Sequence, residues 1–275
     1  MFKVDIVSTG SDGNCVVIND EIMIDAGISK KKINEYGIDL DEIKYLFITH
    51  RHSDHANLAT IRYFITHNVE VHVPFSVRAK LMNENRIKVN NYPNLIIHEG
   101  FNNDYGIHRY TCGTYNITLY PTKHYDIINY AIVIERDNQR LLYATDLQTV
   151  EPTEISEGLS NLGTFDTIIM EGNYDEVYLR AFINNSINYI DPNLDGTVLN
   201  DDELDKWVRQ NYKGLPNDVS HGMFRAVQNM RHLSKQQARI YVKNHLRQNG
   251  RYYEVHRSSM FYEKKNKWES LNEIW

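Results

Sequence analysis

Apolar residues in the first half of the chain fall into short runs, each closed by turn-forming residues. FKVDIVS (2–8), CVVI (15–18) and EIMID (21–25) are rich in β-branched residues and broken by GSDGN and ND, which predicts strands joined by turns. IKYLFIT (43–49) is almost continuously apolar, as a strand covered on both faces would be. ANLATIRYFITH (56–67) has helical spacing, and VEVHV (69–73) returns to strand. NITLY, NYAIVIE and RLLYAT predict three more strands, the last two joined by RDNQ, and TFDTIIME (164–171) predicts another buried one. The last third opens on a polar stretch. It then predicts a long helix at GMFRAVQNMRHL and a strand at RIYVKN (239–244), and closes with a basic tail, KKNK (264–267). No internal repeat or low-complexity linker interrupts the pattern. The expectation is one α/β (α+β) domain over 1–275, with two β-rich halves and helices between them.

The 275 residues suffice for a full core, and 41% hydrophobic with 24% charged residues is the balance of a globular protein. No apolar run approaches a membrane span, and MFKVDIVSTG lacks a signal-peptide pattern, so the expected location is the cytoplasm, away from membranes. Cys15 and Cys112 form no CxxC pair and no disulfide framework; reduced, buried thiols are expected. A net charge of −6 disfavours tight, non-specific binding of duplex nucleic acid, although two bound divalent cations would reverse the local sign where a substrate sits.

One stretch concentrates the chemistry. ITHRHSDHANL places His50, His52, Asp54 and His55 directly after a buried strand. In an extended loop His50 and His52 point the same way and can reach one ion, while Asp54 and His55, at the start of the next helix, turn towards a second. The plain alternative is a polar loop with Asp54 as a helix cap. Ligand geometry accounts for three histidines and an aspartate at this spacing; chance clustering does not.

The segments STGSDGNC (8–15), IDAGIS (24–29) and FITHRHSDHA (47–56) resemble, in order and spacing, the metallo-β-lactamase superfamily, and within it the single-domain VicX/YycJ-type metallo-hydrolases. The likeness covers most of residues 1–175 and resumes near 220. It implies an αββα sandwich of two mixed β-sheets flanked by helices, and a binuclear centre. It also implies the remaining ligands: His124 with His50 and His52 at one ion; Asp146 as the bridging carboxylate; His245 with Asp54, His55 and Asp146 at the other. His221 and His232 rival His245 as the last ligand. Asp25, at the end of EIMID, would orient a ligand imidazole. Asn14, with Ser11 and Asp12, would line the cleft against substrate. MEGNYDE (170–176) resembles a family segment in which Tyr174 replaces a histidine.

Two ions holding a shared hydroxide need no serine or cysteine nucleophile. The all-nitrogen and oxygen ligand set suits Zn²⁺, with Mn²⁺ as the alternative. The resemblance implies a phosphodiesterase or nuclease acting on single-stranded DNA or RNA, with Asp54 and His221 as catalytic residues, His221 serving as general acid or substrate contact. A cyclic nucleotide or dinucleotide phosphodiesterase is the rival, favoured by the acidic charge. A glyoxalase II-like thioester hydrolase follows, and a metal-stabilised binding protein represents the non-enzymatic class. His52 stands where flavo-diiron members carry glutamate, which favours hydrolysis. Residues 184–216 read as an insertion. Within it Asp191, Asn193, Asp195, Thr197 and Asp202 follow the spacing of a calcium loop of structural role, with Asp rather than Glu at the last position and Pro192 intruding; an Asx-rich turn is the alternative.

Overall fold

The computed structural model describes residues 1–85, 92–98, 106–124, 127–175, 232–258 and 267–271. The insertion at 184–216 with its calcium-loop residues, His221 and most of the predicted helix at 222–233 lie outside them.

Two mixed β-sheets with flanking helices make up the fold. The six-stranded sheet runs β1 (Val4–Ser8), β2 (Cys15–Ile18), β3 (Ile22–Ile24), β4 (Tyr45–Phe47), β5 (Glu70–Val73), β6 (Leu95–Ile97), in that order. The first two pairings are antiparallel and the next three parallel. Parallel neighbours require crossovers, and α1 (Lys30–Tyr36), α2 (Leu58–Thr66) and α3 (Phe75–Asn85) supply them in turn. β2 and β3 are buried at every position, as their unbroken apolar sequences require. α2 starts at Asn57, whose side chain accepts from the amides of Ala59 and Thr60, and it buries Ile61, Phe64 and Ile65 on one face.

The seven-stranded sheet has the order β13 (Glu269–Leu271), β12 (Leu246–Val255), β11 (Phe165–Glu171), β10 (Gln139–Ala144), β9 (Ile127–Arg136), β8 (Tyr115–His124), β7 (His108–Cys112). α4 (Lys235–His245) precedes β12, which pairs parallel to β11. Among the described residues, no helix is long and apolar enough to cross a membrane.

Two expectations change. RIYVKN is not a strand but the body of α4: Ser234 and Gln237 form a reciprocal capping box, and Ala238, Tyr241 and Val242 bury one helical stripe. Asp54 and His55 lie in a turn rather than at a helix start, because Asn57 is the cap. α3, β6 and β7 carry no strong periodic signal in the sequence and emerge only in the fold. The chain packs as two compact units: residues Met1–Pro121 with Ile128–Leu141, and Thr122–Ile127 with Leu142–Trp275.

Candidate functional site

In the first unit, the carboxyl ends of parallel strands β3 and β4 carry the polar residues, the position at which open mixed sheets commonly hold ligands. Asp25 follows β3 and is fully buried, with φ of 58°. Its Oδ1 accepts from the Thr49 amide at 2.9 Å and from Thr49 Oγ1 at 2.9 Å, and its Oδ2 lies 2.7 Å from His55 Nδ1. Held this way, His55 keeps its proton on Nδ1, so that its Nε2 carries the lone pair a cation would use. Asn14 Nδ2 donates to that Nε2 at 2.8 Å, and Asp54 Oδ2 lies 3.9 Å from it. His50 Nε2 and His52 Nδ1 approach to 3.0 Å, so this pair does share one face of its loop. The His50 ring also packs on His55, with centroids 4.1 Å apart.

The three sequence segments pack on one another, and backbone contacts explain their composition. The Asn14 amide donates to the Asp54 carbonyl at 2.6 Å and the Gly27 amide to the Asn14 carbonyl at 2.8 Å; Ala26 bridges Ala56. A Cβ on Gly27 would stand 1.7 Å from the Asp54 carbonyl oxygen, so only glycine permits the approach. Asn14, expected against substrate, is buried. Its side-chain oxygen accepts from the Gly10 amide (2.8 Å) and its side-chain nitrogen donates to His55, contacts that hold the loop.

In the second unit, polar residues again gather at strand ends. His124 ends β8, Asp146 follows β10, Glu171 ends β11, and His256 follows β12. His124 Nε2 lies 3.6 Å from Asp146 Oδ1, His232 Nδ1 3.5 Å from the same oxygen, and His256 Nε2 3.3 Å from Asp146 Oδ2. Glu171 is fully buried: its Oε1 accepts from the amides of Leu147 (2.8 Å) and Leu233 (3.1 Å), and its Oε2 takes His232 Nδ1 at 2.9 Å. One ligand atom each from Asp146, Glu171, His232 and His256 fall within 4.8 Å of one another. Asp146 and His256 both hold positive φ, 54° and 56°, a backbone state that non-glycine residues adopt when the surroundings impose it.

His245 is not brought to these donors. At the end of α4 its ring stacks on Tyr241, and its nitrogens face the carbonyls of Tyr241 (2.8 Å) and Ser160 (3.0 Å). Of the alternatives for the last ligand, His232 does join the cluster. His256 and Glu171 are the residues that sequence reasoning missed as site members. Tyr174 is buried and pairs with Ser234 across a short bridge.

The donor chemistry of both sets fits divalent cations. Two carboxylates, Asp146 and Glu171, are buried where the partners named above are imidazoles and backbone amides, a placement that calls for compensating positive charge. Carboxylates fix the rings of His55 and His232, as commonly happens behind metal-binding histidines.

A family profile described as the beta-lactamase superfamily domain matches residues 20–214. Similar solved structures include human tRNase Z, short form, with 14% identity over 66% of this chain and 81% of that chain and a TM-score of 0.49. A diphosphatase from the PhnP family shares 13% identity over 64% of this chain and 76% of its own, with a TM-score of 0.46. Zn(2+)-bound PqqB from Methylobacterium extorquens shares 12% identity over 69% and 78%, with a TM-score of 0.47. No curated protein sequence matches the chain.

Proposed function

Since the chain belongs to the beta-lactamase superfamily, a superfamily of metal-dependent hydrolases, we propose that it hydrolyses phosphodiester bonds of single-stranded DNA or RNA with two divalent cations, Zn²⁺ or Mn²⁺, as cofactors. The proposed ligands are His50, His52, Asp54, His55, His124 and Asp146, with His232 and His256 in the part first given to His245. The observation that carries this is the pre-set state of the imidazoles: Asp25 and Glu171 each clamp a histidine Nδ1, at 2.7 Å and 2.9 Å, in a buried setting.

When bound, such cations ionise a water at neutral pH and offset the charge that develops on phosphoryl oxygens. The chain's own residues do the rest. His55 presents Nε2 because Asp25 holds its Nδ1 proton. Asn14 fixes the carbonyl of Asp54 with its backbone and side-chain nitrogens, and the Gly27 amide holds the Asn14 carbonyl, which sets the turn that carries the Asp54 carboxylate. That carboxylate, 29% exposed, can take the proton released by the attacking water. Burial of Asp146 and Glu171 lowers the dielectric around them, which strengthens their contacts with His232 and His256.

A second reading, hydrolysis of cyclic nucleotides or dinucleotides, is favoured by the net charge of −6, which repels a long polyanion more than a small one. Labelled single-stranded DNA, RNA and cyclic nucleotides, each incubated with Mn²⁺ or Zn²⁺ and compared with His52→Ala, separate the two. The proposal expects strand cleavage that His52→Ala abolishes; turnover of cyclic nucleotides alone would overturn it in favour of the second reading.

A further inference from the structure

In the first unit, β5 and β7 bring together a group of side chains that the proposed hydrolysis does not use. Glu70 and His72 are two apart on β5 and therefore share a face of the strand. Cys112 is the last residue of β7. His72 Nε2 lies 2.7 Å from Glu70 Oε1, and Cys112 Sγ lies 3.7 Å from the same oxygen. One ligand atom of each residue falls within 4.8 Å of the other two. The imidazole and the thiol are each only 1% exposed, while the Glu70 side chain is 42% exposed and gives the group an opening to solvent.

His72 also belongs to a layer of buried imidazoles. His72 Nδ1 is buried with no hydrogen-bond partner, and neither are the two ring nitrogens of His98, which is 2% exposed. Tyr110 stands against both rings, with centroids 4.4 Å from His72 and 6.4 Å from His98. Buried polar atoms left without partners are uncommon in native proteins and call for an explanation. An ion on Nε2 leaves these atoms as they are, so the site rests on the geometry of Glu70, His72 and Cys112.

We propose that Glu70, His72 and Cys112 form a mononuclear binding site for a borderline-soft divalent cation, Zn²⁺ or one of like preference, which ties β5 to β7 within the first unit. The mixed carboxylate, imidazole and thiol donors suit that class of ion. Tetrahedral coordination at ordinary zinc bond lengths sets the sulfur and oxygen roughly 3.5 Å apart, close to the separation found, and the nitrogen and oxygen roughly 3.3 Å apart. The Glu70–His72 pair must therefore open by about half an ångström, which rotation of the half-exposed glutamate allows. A solvent water takes the fourth position on the open side. Without the ion the thiol is protonated, since burial first and Glu70 second push it up to about 12. Binding breaks the S–H bond, forms the sulfur–metal bond and releases one proton to solvent.

The test is Co²⁺ loading of the full chain followed by near-ultraviolet absorption. A thiolate bound to Co²⁺ gives a charge-transfer band that nitrogen and oxygen donors do not, so the hydrolytic ligands contribute nothing to it and the two proposals fail separately. The expected result is a band in the wild type that persists in Cys15→Ala and vanishes in Cys112→Ser. Glu70→Gln, on the exposed side and least able to disturb folding, should weaken the Co²⁺ affinity read from the band at least tenfold. No band in the wild type, a band that survives Cys112→Ser, or unchanged affinity in Glu70→Gln would each overturn the site.

Discussion

Replacing Asp25 by asparagine isolates what its charge does, because the shape is conserved and the side chain stays buried. The carboxylate serves two sides at once: Oδ1 receives the Thr49 amide and hydroxyl, and Oδ2 receives His55 Nδ1–H at 2.7 Å. Asparagine has a single acceptor. If its oxygen stays with Thr49, an NH₂ group faces Nδ1–H, and His55 must move its proton to Nε2 to relieve the clash. That proton then points at Asn14 Nδ2, 2.8 Å away, a second donor facing a donor. The loss of one buried, charge-assisted hydrogen bond is worth about 1.5–3 kcal/mol, and a mispaired donor adds about 1 kcal/mol or more. Because Nε2 no longer offers a lone pair, zinc affinity should fall by about 10–100-fold. Thr49→Val is the comparison: it removes the hydroxyl's bonds to Asp25 and its contact with His50 Nδ1 (3.1 Å), should cost about 1 kcal/mol, and leaves the Asp25–His55 bond in place. Denaturant midpoints and zinc competition with a chromogenic chelator measure both effects. Wild-type zinc affinity in Asp25→Asn would refute the reasoning, since it would mean that the carboxylate does nothing for His55 beyond filling space.

Two further outcomes follow from local geometry. Gly27→Ala drives a methyl into the Asp54 carbonyl and breaks the amide bonds linking 14, 27 and 54; with about 1 kcal/mol for each of two bonds and about 1–3 kcal/mol of overpacking, a loss of about 3–5 kcal/mol is expected in equilibrium unfolding, with metal binding impaired in whatever folds. Wild-type stability in that variant would mean that the close approach is relieved without consequence. The second concerns pH. Burial first, then the neighbouring His72 and His108, hold His98 well below its ordinary value, so the native state binds fewer protons than the unfolded chain. Stability is therefore complete above about pH 6.5 and declines as pH falls below it, by up to about 1.4 kcal/mol per unit for this one group. Urea midpoints between pH 7 and 5 should show a shallower decline in His98→Phe than in the wild type, and parallel declines would remove His98 as the cause.

The most legible parts of the chain were those where one local rule decides the outcome. Continuous apolar runs named β2, β4 and β11, and two of the motif segments were separable in sequence because their residues answer local demands: Gly27 a close approach and Asp25 a clamp in one, Asn14 a brace in the other. The failure at RIYVKN has a specific cause. Its β-branched and aromatic residues mimic a strand, while Ser234 and Gln237, three apart, announce a helix start that outweighs them. Misplacing that element moved the expected histidine to 245; the strand in fact runs to Val255, and the histidine at its end is His256. Glu171 was hidden for another reason. A fully buried glutamate closing an apolar strand has no periodic signature, and only the pairing of β11 with β12 brings it beside His232 and His256. The layer of His72, His98 and Tyr110 depends on contacts between distant strands, which no local pattern encodes.

The central claim is that two divalent cations on nitrogen and oxygen ligands make this chain a phosphodiester hydrolase. Its most direct test is a metal titration of chelator-stripped Cys112→Ser protein, in which hydrolysis of a labelled single-stranded oligonucleotide is followed against equivalents of Zn²⁺ or Mn²⁺ added. Activity should be absent at the start and level off at two equivalents per chain. Full activity in the stripped protein, or a plateau reached at a single equivalent, would contradict it.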